Sequence, residues 1–231
     1  MANAATDGAR IQQRINTRFY EIADTILLDG SNPWEVDEAM VAFGCPMGPY
    51  ETQDLVGLDR AYNWRKQEAA KHDPKRRYVL IADRMVEEGR LGKKVGVGWY
   101  RYPGGNGKVE DPIVEDLIIE EAYFAKVERR TFSENEIQTR LFTALINEAC
   151  CVVDDGWAHS FDDVMTILNC LAGTDHITST LNRNIDAIGA DVILAHMRMF
   201  ELEDRFLWTP SQHLIEIAHG NEGFSGRAAA S

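Results

Sequence analysis

Ile11-Gln12-Gln13-Arg14-Ile15-Asn16-Thr17-Arg18-Phe19-Tyr20-Glu21-Ile22-Ala23-Asp24-Thr25-Ile26-Leu27-Leu28-Asp29-Gly30-Ser31-Asn32-Pro33 sets the fold class of this chain. Ile11, Ile15, Phe19, Ile22 and Ile26 recur every three or four residues, the spacing of one helix face. The run predicts a helix from about Gly8 to Leu28. It stops at Asp29-Gly30, because glycine takes the left-handed position beyond a helix without a steric cost. Ser31-Asn32-Pro33 then opens a second helix, with a polar cap and a proline in the first turn, and that helix carries Val36, Ala39 and Met40 inward.

The same layout returns further along. Ser133-Glu134-Asn135-Glu136 has the form of a capping box, and the helix it starts carries Ile137, Leu141, Leu145 and Ile146 before stopping at Asp155-Gly156. Ser160 caps the next helix, with Val164, Met165 and Leu168. An offset of 126 residues lays Arg140 on Arg14, Ile137 on Ile11, Gln138 on Gln12, Ala149 on Ala23, Asp155 on Asp29, Gly156 on Gly30 and Asp163 on Asp37. Shared stops and caps suggest an internal duplication; chance likeness between amphipathic helices that end in Asp-Gly is the other reading. The expected architecture is all-α, two tandem helical lobes at 8–110 and 111–224, with the change of lobe falling within residues 103–132.

Composition excludes several classes. A formal net charge of −13 over 231 residues argues against recognition of nucleic acid backbones. No apolar run approaches the roughly 20 residues of a membrane-spanning helix, and no secretory leader is read at the N-terminus, so a cytoplasmic protein is expected. Four cysteines without CxxC spacing and six scattered histidines give no metal motif. The basic run Lys71-His72-Asp73-Pro74-Lys75-Arg76-Arg77 reads as a solvated surface or as a steering patch for a small polyanion. A dinucleotide loop requires Gly-x-Gly-x-x-Gly between a strand and a helix; Gly96-Val97-Gly98-Trp99-Tyr100-Arg101 lacks the third glycine. Gly107-Lys108-Val109 likewise fails as a phosphate loop, and no Gly-x-Ser-x-Gly elbow occurs.

Two segments are more specific. Phe43-Gly44-Cys45-Pro46-Met47-Gly48-Pro49-Tyr50-Glu51-Thr52-Gln53-Asp54-Leu55-Val56-Gly57-Leu58-Asp59 resembles the loop-and-helix signature of the 3-hydroxyacyl-CoA dehydrogenase C-terminal domain. Ala82-Asp83-Arg84-Met85-Val86-Glu87-Glu88-Gly89-Arg90-Leu91-Gly92-Lys93-Lys94-Val95-Gly96-Val97-Gly98-Trp99-Tyr100-Arg101-Tyr102 is similar to the same family's closing segment, in the same order. The resemblance covers roughly residues 8–170 and is nearest to multifunctional fatty-acid oxidation enzymes, in which this domain is doubled. It implies the helical fold of 6-phosphogluconate dehydrogenase C-terminal domains.

In the first segment, Gly44, Gly48, Pro46 and Pro49 fix a tight backbone, and Pro49 opens a helix whose N-terminus would favour a nearby anion. A substrate wall and a rigid helix connector both fit. The resemblance implies that a separate N-terminal Rossmann domain binds NAD and supplies a catalytic His–Glu pair, so this chain carries no catalytic residue, cofactor or metal of its own. It also implies substrate contacts at Gln13, Pro46, Met47, Gly48, Pro49 and Lys94, and partnership with a Rossmann subunit, a second copy in a homodimer, or both. The family's first helix reads Asn-Arg where this chain has Gln13-Arg14, which carries the amide outward by about 1.5 Å. That change, with the altered stretch after Asn169, motivates the alternative of a non-catalytic acyl-CoA-binding or interaction module.

Overall fold

The helix boundaries follow local capping chemistry. The computed structural model describes residues 2–68, 77–105, 107–171, 185, 187–220 and 224. Helix α1 spans Ala2–Asp29, and Gly30 beyond it has φ +149°. Asn32 caps α2 (Pro33–Phe43), its side chain accepting from the Glu35 amide. Helices α3 (Pro49–Val56), α4 (Leu58–Glu68) and α5 (Ile81–Glu87) follow. Asp111 caps α6 (Pro112–Phe124). Ser133 caps α7 (Glu134–Asp154), the Glu136 amide donating to its Oγ at 3.2 Å, while the Glu136 carboxylate pairs with Arg130. Ser160 Oγ accepts from Asp163 at the head of α8 (Phe161–Leu171). Helices α9 (Ala190–Glu201) and α10 (Gln212–His219) complete the described elements. Gly156 has φ +70°.

The fold is all-helical: among the described residues the β-type pairing amounts to isolated bridges at Gly92–Val97, Val97–Arg101 and Arg101–Val109. No helix among them is long and apolar enough to cross a membrane. Two compact units divide the chain, one of residues 1–22 and 139–231, the other of residues 23–138. This spatial division runs through α1 and α7. Residues 172–184 and 225–231 lie outside the described residues, as does most of the 71–77 basic run.

In the first unit, Ile11, Ile15 and Phe19 of α1 are buried, as are Leu141, Leu145 and Ala149 of α7 and Ile193 and Met197 of α9. Arg14 donates to Glu148 at 2.6 Å and pairs with Asp155 at 2.8 Å, its guanidinium 5.0 Å from the Trp157 ring. Arg140 donates to both Glu203 oxygens at 2.8 Å and lies 4.2 Å from the Phe200 ring. Asp154 caps α10 from a distance, accepting from the Gln212 and His213 amides at 2.9 Å. Cys150 and Cys151 are free thiols. Burial pushes both upward, Cys151 to about 12, so they are core residues without thiolate character.

In the second unit, Ile26 and Leu27 pack with Val36, Met40, Tyr50, Met85, Trp99, Tyr100 and Ile118 in the buried interior. Helix α6 turns Val114, Leu117 and Ile118 inward and leaves Ile113 54% exposed. Arg129 closes the end of α1, donating to the Leu27, Leu28 and Ser31 carbonyls at 2.7, 3.2 and 3.1 Å. A Cβ on Gly30 would stand 1.7 Å from the Arg130 carbonyl oxygen.

Lys126 follows α6 with φ +57°, the position at which glycine is favoured. Val127 donates to Ala122 and Lys126 to Tyr123, the bonding of a left-handed helix stop. Replacing Lys126 by Gly should therefore raise stability by about 1 kcal/mol, as a shift of the urea midpoint without a change in slope. A lowered midpoint would contradict the assignment.

Candidate functional site

The loop 44–49 gains its shape from a carboxylate that is remote in sequence. Helix α3 begins at Pro49, and the residue before it, Gly48, has no side chain with which to cap. Asp37 of α2 takes that role: its Oδ1 accepts from the Tyr50 amide at 2.7 Å and its Oδ2 from the Glu51 amide at 2.9 Å. The Tyr100 hydroxyl also donates to Oδ2 at 2.8 Å. A Cβ at residue 48 would lie 2.1 Å from Asp37 Cγ, so glycine there is a requirement of space. The anion expected at the head of α3 is thus the protein's own Asp37.

A second buried carboxylate holds the glycine-rich segment 92–102. Asp54 accepts from the Trp99 and Tyr100 amides at 2.8 and 2.9 Å and from the Tyr102 hydroxyl at 2.9 Å. Gln53 accepts from the Trp99 indole at 2.9 Å, and Arg90 donates to the Gly98 carbonyl at 3.0 Å while pairing with Asp111. A Cβ at residue 98 would stand 1.9 Å from Asp54 Oδ1, and one at residue 92 would stand 2.3 Å from the Asp54 carbonyl oxygen. The Gly96-Val97-Gly98 run is therefore occupied. Its following amides point at a carboxylate, and a dinucleotide pyrophosphate would meet like charge there. These residues do not fit NAD.

Both carboxyls are held above the ordinary carboxylate range. Burial is the largest cause for each, opposed by the hydrogen bonds they accept, and brings Asp37 and Asp54 to about 6. Burial and the adjacent carboxylates also push the Tyr100 and Tyr102 hydroxyls upward, which keeps them as donors.

Of the residues expected to meet substrate, Pro46 is exposed, Met47 half-buried, and Gly48 and Pro49 buried, all in the one loop. Lys94 lies on the same unit, exposed and ion-paired with Asp59 of α4. Gln13 belongs to the other unit, half-buried on α1 with its amide 3.4 Å from Thr17 Oγ1. Asp37, Asp54, Gln53 and Arg90 had not been singled out as site residues. One signal was available: a helix opening Gly-Pro has no local cap and must draw one from elsewhere. Beside Asp37 an open groove of about 660 Å³ is lined by Trp34, Glu38, Val41, Tyr100, Lys108 and Val109, among others. No cluster of His, Cys, Asp and Glu among the described residues is arranged to hold a metal ion.

The glycines can be separated experimentally. Gly96 has φ +81° with open space around its Cβ position, whereas Gly98 is confined by Asp54. Gly96→Ala should cost about 1 kcal/mol through backbone strain alone, and Gly98→Ala about 2–4 kcal/mol through overpacking. Equal losses in denaturant titrations would refute the assignment. The carboxyls predict a pH dependence as well. With folded values above the unfolded value of about 4, each group favours folding most below about pH 4 and loses that contribution as pH rises through about 6. Carbon-13 titration of the Asp37 and Asp54 carboxyls should give midpoints near pH 6; midpoints below 4 would contradict their burial.

Comparison with known proteins places this geometry. Residues 11–102 match the family model of the 3-hydroxyacyl-CoA dehydrogenase C-terminal domain. The peroxisomal bifunctional enzyme of Cavia porcellus is 33% identical over 170 residues, covering 68% of this chain and 23% of that protein. The fatty acid oxidation complex subunit alpha of Acinetobacter baumannii (strain SDF) is 31% identical over 148 residues, covering 62% of this chain and 20% of that protein. The chain thus spans under a quarter of the length of these relatives. Among solved structures, the dehydrogenase part of multifunctional enzyme 1 from C. elegans aligns with a TM-score of 0.72 at 17% identity, over 91% of this chain and 48% of that one. The 3-hydroxybutyryl-CoA dehydrogenase of Escherichia coli aligns with a TM-score of 0.67 at 17% identity, over 92% of this chain and 60% of that one. At such identity the structural likeness speaks to the fold.

Proposed function

We propose that this chain, whose residues 11–102 are a 3-hydroxyacyl-CoA dehydrogenase C-terminal domain, forms the helical, substrate-side half of such a dehydrogenase and works with a separate Rossmann domain. The observation that carries the reading is the joining of loop 44–49 to segment 92–102 around Asp37 and Asp54, which gives a rigid wall bearing Pro46, Met47, Gly48 and Pro49. NAD on the Rossmann partner would accept the hydride as a 3-hydroxyacyl-CoA becomes a 3-ketoacyl-CoA, with a partner histidine taking the hydroxyl proton. This chain would exclude water and orient the acyl group through that wall, with Gln13 and Lys94 as further substrate contacts. A homodimer fits the same role, and the exposed Ile119, Tyr123 and Phe124 of α6 offer an apolar face for a partner. The compartment would be that of the partner, cytoplasmic or peroxisomal.

We also infer descent by duplication, at the lobes 8–110 and 111–224. Supporting it, Arg14 and Arg140 each join a carboxylate and an aromatic ring, and Gly30 and Gly156 both have positive φ. The second functional reading, a non-catalytic acyl-CoA-binding or interaction module, draws its support from Gln13.

The test is reconstitution. With 3-hydroxybutyryl-CoA and NAD, the chain alone should produce no NADH, and a Rossmann subunit encoded beside it should restore turnover. Gln13→Asn should then raise kcat/KM by up to about 100-fold, the cost of misplacing a positioned group by roughly 1 Å. Absence of turnover with every such partner, together with acyl-CoA binding to the isolated chain by calorimetry, would favour the binding module instead.

A further inference from the structure

We propose that Asp37 is a positioning residue for the substrate wall: its carboxylate ties the first turn of α3, where loop 44–49 ends, to segment 92–102, so that the two pieces hold one geometry. The inference rests on the functional reading above in treating these pieces as facing substrate. The tie itself rests on geometry.

Asp37 lies 13 residues before Tyr50 and 63 before Tyr100, on a helix that belongs to neither piece. It receives the Tyr50 and Glu51 amides from the first turn of α3 and the Tyr100 hydroxyl from segment 92–102. Asp54, by contrast, sits on α3 and receives three donors that all come from residues 99–102. Asp54 fastens the segment to the helix, whereas Asp37 couples the start of the helix to the segment. Lys108 strengthens the coupling from outside, its ammonium 4.7 Å from the Tyr100 ring centre and paired with Glu51. An asparagine at 37 keeps the size of the carboxylate but exchanges one acceptor for a donor. With its oxygen on the Tyr50 amide, its NH2 can no longer accept from the Glu51 amide or the Tyr100 hydroxyl.

Hydrogen exchange on the full-length chain reads this directly. Asp37→Asn should speed exchange at Tyr50, Glu51 and residues 99–102 by at least about tenfold, while Asp54→Asn should act on 99–102 and spare Tyr50 and Glu51. Tyr100→Phe keeps the cap and removes the tie, so combining it with Asp37→Asn should add nothing further at 99–102. Additive effects, or an Asp37→Asn response confined to Tyr50 and Glu51, would overturn the tie. If Asp37→Asn does not fold, the same two sets of amides are compared in Tyr100→Phe alone: exchange rising at 99–102 while Tyr50 and Glu51 stay protected supports the tie, and no response at 99–102 overturns it.

With a Rossmann partner and 3-hydroxybutyryl-CoA, Tyr100→Phe should lower kcat about tenfold with KM changed less than about twofold, because the wall is displaced without loss of the pocket. Wild-type kcat in Tyr100→Phe would overturn the positioning role. Lack of turnover in the unaltered chain would instead count against the functional reading, and the exchange pattern would still decide whether the tie exists.

Discussion

A carboxylate withdrawn from water costs several kcal/mol unless donors replace its hydration, and the unit of residues 23–138 is organised around meeting that demand twice. Asp37 and Asp54 are both buried, each with three donors. The donors are largely backbone amides, so meeting the demand fixes the course of the main chain. Gly48 and Gly98 follow from it, since the space beside each is filled by an aspartate. Tyr100 and Tyr102 follow too, as aromatic residues that bring a hydroxyl to a buried acceptor while filling core volume.

The other unit meets its polar demands by a related device. Asp154 caps α10 from the end of α7, and Asn147 joins the Thr209 carbonyl to the Ser211 amide. The segment 209–211 is thereby held on α7 although it contains Pro210, which lacks an amide of its own. In both units a helix start without sufficient local capping is completed by an acid from another helix. A local cap fixes only where a helix begins; a distant one also fixes which helix lies beside it.

The sequence made the helices legible because their information is local. The stripe from Ile11 to Ile26, the caps at Asn32, Ser133 and Ser160, and the stops at Gly30 and Gly156 act within a few residues of themselves, and the structure has each in place. The site was legible as two segments and not as a mechanism of assembly. Proline and glycine at 44–49 announced a constrained loop, but its constraint comes from an aspartate that reads in sequence as one more surface acid. At Gly98 a string of letters does not distinguish glycine chosen for dihedral freedom from glycine chosen for room. The pairing of Lys94 with Asp59 spans 35 residues and leaves no local signal.

The arginine that closes α1 bears on events during synthesis. Arg129 reaches back 102 residues to the Leu27 carbonyl. At roughly 5–20 residues per second on the ribosome, the last turn of α1 waits about 5–20 s for that partner. Throughout the interval the Leu28 and Ser31 carbonyls lack this donor, and the end of α1 is without the clamp that the finished unit has. The order of translation therefore gives α6 and the 127–132 connection a role as a latch: residues 23–138 can be released as a finished unit only after the latch has left the exit tunnel.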